Sequence, residues 1–148
     1  MSILQGATTS FKVELLQAVH NFGPTSANTF KIALYTASAN INADTTVYTT
    51  TNEVTGTGYT AGGNTLTIST SPTSGNNSSN IPTAYISFSN TSWTNASFTA
   101  RAALIYNTSQ SNKSVAVLDF GADKTVSNDT FQIIFPTPDA NSAIVRIA

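Results

Sequence analysis

A chain of 148 residues with six basic and seven acidic side chains, a net charge of −1 and no cysteine fits one domain with one core. The near-zero charge gives no basic stripe for phosphates or an anionic membrane, and the absence of thiols excludes disulfides, thiolate metal sites and cysteine nucleophiles. Polarity comes from Thr, Ser and Asn; eight Phe, five Tyr and one Trp supply the apolar mass of a folded domain, whose neutral surface lacks the self-repulsion that keeps copies apart.

The chain opens Met1-Ser2-Ile3-Leu4-Gln5-Gly6, with neither a basic nor an apolar leader region. Residues 1–9 read as a flexible arm, and 10–148 as a single β-rich domain. Phe11, Leu15, Leu16, Val19 and Phe22 recur at helical spacing, with Ser10 placed to cap and Gly23-Pro24 to stop, which predicts the one substantial helix. Residues 29–36 alternate as a strand. A polar loop over 37–46 leads to a short edge strand at 46–49 and a β-run at 54–61 broken by Gly56 and Gly58. Gly62 and Gly63 then predict a turn with positive φ before a strand at 65–69.

Residues 70–80 contain no apolar side chain and predict an exposed, mobile loop. After a strand at 84–88 comes the stretch 97–107, on which the fold centres. Phe98, Ala100, Ala102 and Leu104 share one face, and Ala103 and Ile105 make the other nearly as apolar, so this strand is central and dry on both sides. Arg101 is its one charge and calls for a carboxylate or carbonyls to meet its five donors. Further strands follow at 114–120, 131–135 and 143–147. The sum is a mainly β, single-domain antiparallel sandwich or barrel with one N-terminal helix.

Motifs with chemistry are weak. Asp119-Phe120-Gly121 copies a kinase triplet without its companions, and Gly56-x-Gly58-x-x-Ala61 copies a dinucleotide fingerprint but precedes a β-run instead of a helix. Gly58, Gly62 and Gly63 are therefore read as backbone devices. His20 is the only histidine and stands without a nucleophile motif. Asp119, Asp123, Asn128 and Asp129 lack the order of a calcium loop, and two glutamates, Glu14 and Glu53, do not make a glycosidase pair. No catalytic residue, metal or cofactor is expected. Trp93, Tyr48, Tyr59 and Tyr85 are weighed as a sugar-stacking surface and read more readily as core.

Five blocks together resemble a known family: Ser10 to Leu16, Phe30 to Tyr35, Gly56 to Gly63, Thr99 to Asn107 and Val117 to Gly121. They are similar to small virion structural proteins of tailed bacteriophages, especially phages of aquatic bacteria. The resemblance implies a non-enzymatic, many-copy capsid decoration or cement protein, made in the host cytoplasm and located in the virion. Its implied partners are the major capsid protein and further copies of itself, with a trimer as the common arrangement, and neither nucleic acid nor membrane. The docking residues expected on that reading are Ser2, Ile3 and Leu4 of the arm with Trp93 and Tyr59, while 70–80 faces solvent. The alternative is a tail or fibre-associated, receptor-binding module contacting tail proteins and host glycans.

Overall fold

The computed structural model describes residues 2–148. In chain order the elements are β1 (Gly6–Ala7), α1 (Thr9–Leu16), β2 (Phe30–Tyr35), β3 (Asn64–Leu66), β4 (Ile68–Asn76), β5 (Pro82–Phe88), β6 (Thr91–Asn107), a 3₁₀ turn (Thr108–Gln110), β7 (Lys113–Ile133) and β8 (Val145–Ile147). Five strands form one sheet in the order β1-β7-β6-β2-β3, and three form a second in the order β4-β5-β8, every ladder antiparallel. This is the expected mainly β, sandwich-like architecture with one helix.

β6 lies between β2 and β7, and every residue from Ala102 to Asn107 is buried, as the two apolar faces of that stretch require. One face packs on the main core, where Phe22 and Phe30 stack at 4.4 Å and 4°, with Phe11 edge-on to Phe22 and Phe88 tilted against both. The other face carries Ala102 and Leu104, expected on the side of Phe98 and Ala100 but parted from them where the ladder shifts between Ala100 and Ala102, together with Tyr106, and is covered by Ala39 and Ile41 from the segment after β2 and by Ile3 and Tyr48. The sheet centre is dry because loops roof its outer face.

Several expectations are corrected. The helix starts at Thr9, with the buried Thr8 as its cap in place of Ser10: the Thr8 hydroxyl accepts the Phe11 N–H at 3.4 Å and meets the Ser114 hydroxyl at 2.9 Å. It ends at Leu16 because Ala18 turns left-handed, φ 58°, with the Val19 N–H donating to the Glu14 carbonyl and the Ala18 N–H to the Leu15 carbonyl. The inward stripe is thus Phe11, Glu14 and Leu15, and Leu16, expected inside, is 91% exposed. Since alanine is strained in that conformation, Ala18→Gly is expected to raise stability by about 0.5 kcal/mol, read as a higher urea midpoint.

Residues 2–9, expected to be a flexible arm, are docked: Ile3 bridges Ile41, and Gly6 and Ala7 pair with Val117 and Ala116, while Met1 lies outside the described residues. The 70–80 loop is mostly strand, with β4 running to Asn76 and Asn77 to Asn80 making the turn. An edge strand needs ladder bonds more than burial, and Pro72 sits where the register slips between Thr70 and Thr73. The run at 54–61 is no strand, since Gly58 takes φ 80° and only Thr57 bridges, to Ser97; likewise 46–49 keeps only the Val47 bridge to Lys113. The strands expected at 114–120 and 131–135 are one, β7: Ala102 faces Asp119 but Ala100 faces Lys124, so Phe120 to Asp123 bulge outward and the ladder resumes.

Candidate functional site

Two buried polar networks hold most of the ionisable groups of the interior. In the first, Glu14 projects inward from α1, where its Oε1 accepts the Lys113 ammonium at 2.7 Å and its Oε2 accepts His20 Nε2–H at 2.7 Å. The imidazole is fully shielded, 4.9 Å from the Phe11 ring and 6.5 Å from Phe30. Its Nδ1 receives Asn107 Nδ2–H at 3.0 Å, and the same amide nitrogen donates to Asn28 Oδ1 at 2.9 Å. Backbone donors fix these directions: the Ser109 N–H needs Asn107 Oδ1 and the Asn21 N–H needs Asn28 Oδ1. His20 therefore carries its proton on Nε2, and both ring nitrogens are committed to joining α1, the loop after it and the tip of the β6–β7 hairpin.

Burial alone would raise the Glu14 carboxyl, but the Lys113 and His20 contacts outweigh it and hold the group below the usual 4.5. A depressed carboxylate contributes stability that is present above the unfolded-state value and is lost as pH falls through the folded one. Glu14→Gln is therefore expected to cost clearly more stability at neutral pH than at pH values well below 4.5, read from urea midpoints of both proteins across the acid range. A constant difference would refute the pairing.

The second network surrounds Glu53. Its Oε1 accepts the Tyr59 hydroxyl at 2.6 Å and the Gly62 N–H at 2.7 Å, and its Oε2 accepts the Tyr48 hydroxyl at 2.7 Å. Tyr59 in turn accepts the Leu34 N–H at 2.8 Å, Tyr106 donates to the Gly62 carbonyl at 2.8 Å, and the Tyr48 and Tyr106 rings stack at 4.6 Å. Burial and then the contact with Glu53 push the Tyr48 and Tyr59 phenols far above 10, and burial with the nearby Glu53 charge pushes Tyr106 to about 12. With three donors on its two oxygens, Glu53 is a clasp that fastens the 47–63 excursion to β2 and β6.

The positions singled out in the sequence fall in four places. Arg101 meets a carboxylate as expected, its Nε donating to Asp119 Oδ1 at 3.2 Å, but the pair is part-exposed, opposite the β7 bulge. Asp119 is held below its usual value first by the Gly121 N–H at 2.8 Å and then by Arg101, so the Asp119-Phe120-Gly121 triplet shapes a bulge. Gly58, Gly62 and Gly63 have φ of 80°, 92° and 68° and belong to the Glu53 clasp and its approach to β6. Of the expected docking residues, Ser2 is exposed, Ile3 half-buried and Leu4 61% exposed. Trp93 is instead buried and Tyr59 half-buried against it, 6.0 Å apart, with Trp93 also edge-on to Phe131, because they fill the space between the distal hairpin and the 54–61 loop.

The Trp93 indole N–H is buried without a partner among the described residues. Trp93→Phe, which removes that unsatisfied donor and keeps an aromatic ring, is expected to cost under about 1.5 kcal/mol, whereas Trp93→Ala should cost about 3–5 kcal/mol, both read from chemical unfolding. Sequence reasoning found His20 but not its partners: Glu14, Asn28 and Asn107 lie far apart along the chain, and only the inward place of Glu14, three residues after Phe11, carried a signal. Among the described residues no His, Asp and Glu gather in a group that could hold a metal ion, and no helix is long and apolar enough to cross a membrane. No protein-family model, curated protein or solved structure matches this chain.

Proposed function

We propose that this protein is a non-enzymatic structural component of a tailed-bacteriophage particle, a capsid decoration or cement protein that binds across capsid subunits in many copies. The observation that carries this reading is the outward face of the β6–β7 hairpin. Opposite the buried Trp93, Ala96, Phe98 and Ala100 it presents the exposed hydroxyls of Ser92, Thr94, Ser97, Thr99, Thr125 and Thr130, with Thr99 and Thr125 bonded across the ladder at 2.8 Å. A hydroxyl-rich face with few charges can lie against neighbouring subunits with little charge desolvation or like-charge repulsion. Exposed Leu4, Leu16 and Ile134 add apolar anchors, and the blocks that resemble virion proteins include β2 and the centre of β6.

Quantitative mass spectrometry of purified particles tests the reading. A copy number comparable to that of the major capsid protein is the expected result. A small, ring-like count would place the protein in the tail, and its absence from particles would overturn the virion reading altogether. The arm itself is better probed by Leu4→Asp than by deletion, because deletion would also remove β1 and the Thr8 cap.

A further inference from the structure

Two strand edges without partners face one groove. β1 is the outer strand on one side of the five-stranded sheet and pairs only with β7; β8 is the outer strand of the three-stranded sheet and pairs only with β5. Beyond those ladders no backbone hydrogen bond reaches Gly6, Ala7 or β8 among the described residues, so each edge presents amide groups with nothing across from them. Both edges line the same groove of about 580 Å³: Gly6 and Ala7 from β1, Arg146 and Ile147 from β8, together with Leu15 of α1 and Leu118 of β7. Space extends over β1, where a Cβ built on Gly6 would meet no atom within 4 Å.

The groove's charged side chains are Lys12 and Arg146, both cationic, in a chain with more acids than bases. The Lys12 ammonium has neither an ion pair nor a hydrogen bond among the described residues, and Arg146 spends one nitrogen on the Asn141 carbonyl, keeping the rest of its fork available. Ile147, 58% exposed, and the half-buried Leu15 supply apolar contact.

We propose that this groove takes an extended, carboxylate-bearing segment of a partner protein. The segment adds as a strand along β8 toward β1, its backbone meeting the open edge, its apolar side chains resting on Leu15, Leu118 and Ile147, and its carboxylates meeting Lys12 and Arg146. Main-chain pairing supplies affinity, while the two cations select against basic sequences. An apolar small molecule would use the lining but neither the edges nor the charges. The inference stands on the groove alone and does not require the partner to be a capsid subunit.

The test uses the full chain and a capped synthetic peptide alternating valine with aspartate and threonine, with a lysine-for-aspartate peptide as control. The acidic peptide is expected to shift the backbone amide resonances of Gly6, Ala7, Arg146 and Ile147 and to slow their hydrogen exchange. The double variant Lys12→Glu with Arg146→Glu, both surface side chains whose change leaves a dispersed spectrum, should weaken binding about tenfold or more. Equal binding of the lysine peptide, or no shift at millimolar acidic peptide, would overturn the proposal. Concentration-dependent shifts of the same amides without peptide would overturn it in favour of a second copy of this chain.

Discussion

Glu53→Ala is expected to destabilise the domain by about 3–5 kcal/mol, measured as the change in unfolding free energy in urea. The substitution leaves the Tyr48 and Tyr59 hydroxyls and the Gly62 N–H, now 2.6 to 2.7 Å from the carboxylate, without their acceptor. It also frees Tyr59, which anchors the Leu34 N–H in β2. Glu53→Gln should be milder, at about 1–2 kcal/mol, because the amide oxygen can serve Tyr59 and Gly62 while its nitrogen donates to the Tyr48 oxygen. A loss below about 1 kcal/mol for the alanine variant would show that the excursion is held by packing alone. The same clasp sets an alkaline limit. Phenols whose folded values lie above the unfolded 10.0 contribute stability that is complete below that value and is lost as pH rises through the folded ones. Phenolate absorbance of Tyr48 and Tyr59 is therefore expected to appear together with unfolding.

Gly63→Ala is expected to be as damaging, costing about 3 kcal/mol or more and lowering the yield of folded protein. The residue combines φ 68° with the closest approach of any glycine here: an added Cβ would lie 1.8 Å from the Ile32 carbonyl oxygen and 2.8 Å from the Ala33 Cα. Both are backbone atoms of the strand that pairs with β6, so relief requires moving β2 or detaching β3. By contrast, a Cβ on Gly62 would meet the ends of the Lys31 and Tyr106 side chains at 3.1 and 3.3 Å, which can shift, so Gly62→Ala carries mainly its conformational cost. Equal and small effects at the two positions would refute the close-approach argument.

These two sites mark the reach of sequence reading. The demand for positive φ at Gly62 and Gly63 was legible, but the β-run expected at 54–61 does not form, because that segment folds around Glu53 instead of extending. The dry central strand was legible from Ala102 to Ile105, and so was a carboxylate for Arg101; its partial exposure was not, since it follows from a bulge across the ladder at Phe120 to Asp123. Hydrophobic spacing overran the helix, because Leu16 and Val19 continue the period that the left-handed Ala18 interrupts. The polar stretch 70–80 was unreadable as a strand because edge pairing leaves no apolar period. The buried network of Glu14, His20, Asn28 and Asn107 was hidden for a topological reason: polar residues distant in sequence show their mutual satisfaction only once the sheet brings them together.

The sequence distance of β1 and β8 from the strands they pair with carries a kinetic consequence. β6 and β7 are joined by a short turn and can zip as a local hairpin, whereas β1 must find Val117 from Gly6 and β8 must close on β5 across the length of the β6–β7 hairpin. Loop closure of that span opposes early contact, so the central hairpin forms first and the terminal strands join last. Contacts made after the rate-limiting step govern how quickly the folded state opens more than how quickly it forms. Weakening β1 or β8 should therefore accelerate unfolding and leave refolding nearly unchanged, and β1 and β8 are the first strands to loosen under stress.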